Sequence, residues 1–313
     1  MIEVLSITFP LFAAIALGYG SVAFGLFSSD DMKVLGRYVL NIALPPLLFN
    51  AVAGRDLGEV LHPGYLLVYL SAGVATMLIG YVAVTLSGTG PARRAVAVMG
   101  MVVPNSAFVG YPALLLTLPD IAGQVLVLNF LVENVILIPL GLILLDLSRP
   151  RPGRTIAGVL GGIAKDFFSR PFVIGLMLGL VVSVTGLPYP EPVERFLSLL
   201  AGSAGALALV VIGGTLYGLP MRGDRALAGG IAAGKLMLHP LMAAVAVAIY
   251  SMAGVVVLPD EFRQAAILSA AIPMFSIYII LAQPYGHDGI ASIALLTAVI
   301  SSFVTLSLVL WLI

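Results

Sequence analysis

From Val4 to Phe24 the chain runs without a single charged side chain, and stretches of this length and character recur to its end. A hydrocarbon layer about 30 Å thick is crossed by roughly 20 helical residues whose backbone groups bond only to one another, so each run reads as one crossing. Marked off by Gly, Pro and charge clusters, the runs fall near 4–25, 35–54, 65–87, 93–118, 121–145, 171–187, 196–218, 228–252, 263–285 and 290–312. The expected fold class is therefore an all-α membrane protein of ten transmembrane helices. The first run lacks a basic start and a small-residue cleavage pattern, so it is expected to be a retained span and not a signal peptide.

Composition closes off other classes. With 60% hydrophobic residues, 10% charged residues and a mean hydropathy of +1.12, the 313 residues leave no room for a soluble domain beside the spans. Formal charge is zero and no polybasic or polyacidic tail is present, which argues against nucleic acid as a partner. The absence of cysteine removes disulfides, thiolate metal sites, iron–sulfur clusters and cysteine nucleophiles. No clustered His, Asp or Glu marks a metal centre, no phosphate-cradling loop marks an ATP site, and no cofactor is expected. The chain reads as a non-enzyme.

Orientation follows from the basic residues, which are retained on the cytoplasmic side. With both termini outside, the inner loops hold Lys33, Arg37, Arg93, Arg94, Arg149, Arg151, Arg154, Lys165, Arg170, Arg222 and Arg225, eleven of the fifteen; the outer loops hold Arg55, Arg195 and Arg263. A multi-pass protein of a bacterial-type inner membrane is expected. The basic segment 147–170 reads as a cytoplasmic linker, with Ile156, Val159, Leu160, Ile163 and Phe167 suggesting a short helix lying on the inner surface.

The halves on either side of that linker repeat. Pro10, Gly18, Gly25 and Leu26 match Pro171, Gly179, Gly186 and Leu187 at an offset of 161, and Arg94 precedes Pro104 by the same ten residues that separate Arg263 from Pro273. Residues 1–146 and 171–313 thus read as two five-helix repeats. Five spans per repeat is odd, so the second copy enters the bilayer inverted, as in many secondary transporters. The fourth and ninth spans each carry a central proline, which removes a backbone donor and breaks the helix. Two breaks at one depth bring half-helix N-termini together, each worth up to about 2 kcal/mol toward an anion when partly buried. Pro45, Pro46, Pro139 and Pro240 read as kinks.

The fourth span reads Val103-Pro104-Asn105-Ser106-Ala107-Phe108-Val109-Gly110-Tyr111-Pro112 and the second Asn41-Ile42-Ala43-Leu44-Pro45-Pro46-Leu47-Leu48-Phe49. Both resemble the auxin efflux carrier family, which has a Pro-Asn break followed by an aromatic and a glycine, and a Leu-Pro-x-Leu-x-Phe segment. Ala271 to Met274 resembles the family's ninth-span break and Lys235 to Pro240 its eighth span. Bacterial members include proteins named as malonate transporters. The resemblance implies spans 1, 2, 6 and 7 as a scaffold, 3–5 and 8–10 as a mobile transport domain, an elevator-like slide, and dimerisation through the scaffold. It places a small carboxylate where the breaks meet beside the second span, among Pro104, Asn105, Ser106, Pro273, Met274, Ser276, Asn41 and Leu44, with Asn105 on the carboxylate. Met274 stands where a second polar residue is an alternative, which leaves substrate identity open.

Glu133, Lys235 and His239 carry titratable groups deep in spans, where a central charge costs about 2.5–3.5 kcal/mol. Asn129 lies one helical turn before Glu133, and Lys235 and His239 are likewise four apart. These four are the candidates for proton or ion coupling. One reading pairs Glu133 with Lys235 as a strut; the other makes Glu133 a proton carrier. Carrying one net negative charge inward against 100 mV costs about 2.3 kcal/mol, so uptake of a carboxylate needs a coupling cation, proton or sodium, and export needs none. The expected function is a secondary active or facilitative transporter of a small organic anion, a carboxylate such as malonate or an auxin-like acid. The alternative is a sodium/proton antiporter or a sodium-coupled organic-anion symporter on a similar inverted fold. Gly175-x-x-x-Gly179 and Gly214-x-x-x-Gly218 read as close helix packing, and Gly286-His287-Asp288-Gly289 as a turn.

Overall fold

The computed structural model describes residues 2–55, 57–149, 158, 161–162, 165 and 167–313. Its principal helices are α1 (Ile2–Ala23), α2 (Ser29–Ala53), α3 (Pro63–Leu86), α4 (Pro91–Val102), α5 (Ser106–Thr117) and α6 (Ala122–Leu147). They continue as α7 (Pro171–Thr185), α8 (Glu191–Leu216), α9 (Arg225–Met252), α10 (Asp260–Ala271), α11 (Tyr278–Ala282) and α12 (Asp288–Leu312). Among the described residues seven helices, α1, α2, α3, α6, α8, α9 and α12, are long and apolar enough to cross a bilayer, while α5 and α7 are shorter apolar helices. The chain is an all-helical, multi-pass membrane protein. The expected surface helix through Ile156, Val159, Leu160 and Ile163 lies outside the described residues.

The apolar runs near 93–118 and 263–285 are each interrupted. One breaks between α4 and α5 at Val103 to Asn105, the other between α10 and α11 from Ile272 to Ile277. Prolines elsewhere act more gently. Wide, π-type turns occupy Val39–Ala43, Ser106–Gly110, Glu133–Leu137 and Gly234–Leu238, closed by bonds from the N–H of Leu44 to Val39 O, Tyr111 to Ser106 O, Ile138 to Glu133 O and His239 to Gly234 O. A proline follows each closing residue: Pro45, Pro112, Pro139 and Pro240. The extra residue in the turn keeps the ring clear of the preceding carbonyl and starts a fresh helical segment, in whose first turn proline's missing N–H is not needed. The kinks expected at Pro45, Pro139 and Pro240 are thus wide turns that let the helix continue, and Pro112 follows a fourth.

Close packing holds one group of helices together. α1 runs against α8 and α2 against α7. A Cβ on Gly18 would overlap the Val210 carbonyl and one on Gly213 the Ile15 carbonyl; on the other pair Gly175 meets Pro45 and Gly179 meets Phe49, again at the backbone. In a bilayer, where lipid tails compete equally for apolar surface, such backbone proximity supplies the contact energy. The mutual positions also correspond: Gly179 follows Gly18 by 161 residues, and Val210 follows Phe49 by the same number. The expectation for Gly214 and Gly218 needs correction. Gly214 packs on Met32, but Gly218 lies beyond the end of α8 at φ +73°, where it turns the chain and a Cβ would meet nothing within 4 Å. Gly286, at φ +73°, makes the expected turn into α12.

The other helices pack around a larger buried cluster, with α3 against α4, α6 and α9 and α12 against α9 and α10. Trp311, the single tryptophan, sits exposed in the last turn of α12, at the opposite end of that helix from Arg222 and Arg93.

Candidate functional site

The two breaks meet. Pro104 and Met274 face each other as an antiparallel bridge, with Asn105 N donating to Pro273 O at 2.8 Å and Phe275 N donating to Val103 O at 3.3 Å. Strand-like pairing satisfies backbone groups that proline has withdrawn from the helices, which is what allows irregular backbone to persist away from water. Asn105 does three things there. Its backbone N–H ties the crossing, its Oδ1 accepts from Phe108 N at 3.3 Å to cap α5, and its Nδ2 donates to Ser276 Oγ at 3.3 Å across the crossing. The N–H groups of Ser106 and Ala107, at the tip of α5, have no backbone acceptor among the described residues. α11 contributes less than a full half-helix: it is only five residues long, and Tyr278 N is already spent on Phe275 O. The electropositive tip is therefore mainly that of α5.

A cavity of about 360 Å³ opens onto this crossing. Its lining includes Pro104, Asn105, Ser106, Ser276 and Glu133, the aromatic rings of Phe108, Phe130, Phe172 and Phe275, and the basic residues Lys33, Arg37 and Arg170. Those three cations in the lining favour an anion over a cation there. α2 faces the cavity through Met32, Gly36 and Leu40. Asn41, expected at the substrate, is instead exposed, because one residue beyond Leu40 is about 100° round the helix. Leu44 and Met274 are buried in separate apolar clusters; neither lines the cavity, nor does Pro273.

Behind the crossing lies a buried polar network. Glu133, 3% exposed, accepts through Oε1 from Ser106 Oγ at 2.6 Å and Tyr69 OH at 2.9 Å. Tyr65 OH donates to Asn129 Oδ1 at 2.7 Å, and Asn129 Nδ2 donates to Ser269 Oγ at 2.9 Å. Lys235 Nζ donates to Ala270 O at 2.7 Å, a carbonyl freed at the end of α10, and lies 2.7 Å from His239 Nδ1. A cation on the C-terminal carbonyls of a helix is electrostatically favoured. The direct Glu133–Lys235 pair that the sequence allows is not formed here: each group has taken other partners. Tyr65, Tyr69 and Ser269 were not anticipated. A signal was present, since Lys235 and His239 each follow Tyr65 and Tyr69 by 170 positions, and the two pairs face each other, with the Tyr69 and His239 ring centres 6.2 Å apart.

At the end of the molecule away from Lys33 and Arg37, the segment joining α2 to α3 is pinned on both sides. Arg55 donates from Nη1 to Gln124 Oε1 at 2.9 Å and from Nη2 to Asp120 O at 2.7 Å, while Ser183 Oγ on α7 holds the Arg55 carbonyl at 2.6 Å.

The chain is 26% identical over 294 residues to a Rhizobium meliloti (strain 1021) protein named "Putative malonate transporter", covering 91% of this chain and 88% of that one. It is also 26% identical over 237 residues to an "Uncharacterized transporter" of Methanothermobacter thermautotrophicus (strain Delta H), covering 74% of each. A family model described as membrane transport protein matches residues 4–311. The chain therefore belongs to the membrane transport protein family, the auxin efflux carrier family that its second and fourth apolar runs resemble, and it is a transporter and not an enzyme.

Proposed function

We propose that this transporter carries a small carboxylate across a bacterial-type inner membrane, binding it at the crossing of the two broken helices and moving it by an elevator-like slide. The observation that carries the reading is the antiparallel tie between Asn105 and Pro273 at the end of a cavity that also has Lys33, Arg37 and Arg170 in its lining. The printed name of the Rhizobium relative makes malonate the first substrate to test. In this reading the chain crosses the bilayer ten times as two inverted repeats with both termini outside. The matching glycine contacts of α1 on α8 and α7 on α2 support the repeat, and the basic residues near the cavity support its opening toward the cytoplasm. α1, α2, α7 and α8 form the scaffold; α3–α6 and α9–α12 move. The Arg55 links then close the outer side, and sliding breaks them. Uptake draws on a cation, because the carboxylate alone moves against the membrane potential.

The chain has no cysteine, so a single introduced thiol reports unambiguously. Ser276→Cys in inside-out vesicles is expected to react with a membrane-impermeant maleimide and to be protected by millimolar malonate, while the same variant in right-side-out vesicles reacts several-fold more slowly. Adding Arg55→Ala should narrow that gap by freeing the outer side. Equal labelling from both sides in the otherwise unchanged background would sink the inward-open reading. Accumulation of labelled malonate by proteoliposomes tests the function itself; its absence under every cation gradient, with no exchange of internal malonate, would refute it.

A further inference from the structure

The acid in the cavity is half used. Both hydroxyls that reach Glu133, from Ser106 and Tyr69, bond to Oε1, whereas among the described residues none bonds to Oε2, and the residue lines the cavity. No cation lies within 4 Å of it among the described residues, and Lys235 is held by Ala270 O and His239. The Ser106 side chain that bonds Glu133 belongs to the same residue whose N–H forms the α5 tip, so a carboxylate on that tip lies beside the carboxyl group whose Oε2 takes no bond from the described residues. A second ligand carboxyl reaching toward Oε2 meets it as carboxylate against carboxylate, a pairing that in a dry site holds only when one proton is shared between them.

We propose that Glu133 is a substrate-contact residue, that it binds the second carboxyl of a short dicarboxylate through one shared proton, and that the cargo class is therefore dicarboxylates. This rests on the reading of the cavity as a carboxylate site. The balance is simple: dianion, one proton from the aqueous side and the Glu133 carboxylate give an O–H···O pair, no other bond is made or broken, and release on the far side returns the proton to water. Each cycle moves one proton with one dianion, a net single negative charge. A monocarboxylate held by the α5 tip leaves Oε2 unaddressed and takes up no proton.

Binding of malonate to the purified full-length protein, measured by calorimetry across roughly pH 7 to 9, is expected to weaken about tenfold per pH unit, the signature of one proton taken up per ligand. Propionate should bind with a dissociation constant flat within about twofold over the same range. Glu133→Gln, which offers a fixed hydrogen-bond donor, should still bind malonate but without the pH slope. The other titratable groups facing Glu133 are Tyr65 and Tyr69 from α3 and Lys235 and His239 from α9, with Lys33, Arg37 and Arg170 elsewhere in the cavity lining; propionate reads out their contribution, because it leaves Glu133 free. Equal slopes for malonate and propionate would overturn the proposal while leaving a carboxylate transporter intact, and so would displacement of malonate by β-alanine with no proton uptake, since an ammonium then satisfies Oε2. If Glu133→Gln does not fold, the two-ligand comparison on the unaltered protein decides. Failure of every carboxylate to bind would instead remove the underlying function.

Discussion

Asn105→Ala is expected to lower malonate uptake in proteoliposomes by about tenfold to a hundredfold with little change in the amount of folded protein. The estimate comes from what the side chain does. A hydrogen bond to a charged ligand contributes about 1.5–3 kcal/mol, and 1.4 kcal/mol is a factor of ten. Loss of the cap on α5 adds about 0.5–2 kcal/mol of local cost, partly offset because the backbone tie from Asn105 N to Pro273 O survives the substitution. Ser276→Ala removes only the hydroxyl across the crossing and should cost less than Asn105→Ala. Uptake by Asn105→Ala within twofold of the unaltered protein would remove this residue from the proposed site.

The second large effect is on folding. Gly213→Ala places a methyl group into the Ile15 carbonyl, so α1 and α8 must separate along their whole contact. Neither atom is the far end of a flexible side chain, and overpacking against fixed backbone costs about 1–3 kcal/mol or somewhat more. A thermal-unfolding midpoint in detergent several degrees lower is expected, with Gly18→Ala behaving alike from the other side of the same contact. Gly229→Ala on α9 is the control. Nothing lies within 4 Å of the added methyl there, and alanine's better helix propensity predicts an unchanged or slightly raised midpoint. A Gly213→Ala protein as stable as the unaltered one would show that the helices are not in backbone contact.

How much of this the residues announce depends on the range of the interaction. The broken runs were legible because a proline acts on its own turn, and Pro104 and Pro273 sit in otherwise unbroken apolar stretches. The wide turns before Pro45, Pro112, Pro139 and Pro240 were not, since a helix can answer a proline by bending or by widening and the local sequence does not choose. Glu133 and Lys235 stood out as charges in oil, yet their partners did not: Tyr69 is 64 positions from Glu133, and Ala270 offers Lys235 a carbonyl that every residue possesses. Asn41 lies one helical step from Leu40, which lines the cavity, and is itself exposed. Met274 stands where a second polar residue is an alternative, and its side chain is wholly buried in the larger apolar cluster while its backbone bridges to Pro104.

One residue far from the crossing makes the proposed motion observable without chemical modification. Because Trp311 is the sole indole and lies exposed on α12, all tryptophan emission comes from one point on the half of the molecule proposed to move. In bilayers whose acyl chains carry bromine at a chosen carbon, quenching of that emission works as a depth gauge, and adding substrate should make the reading move.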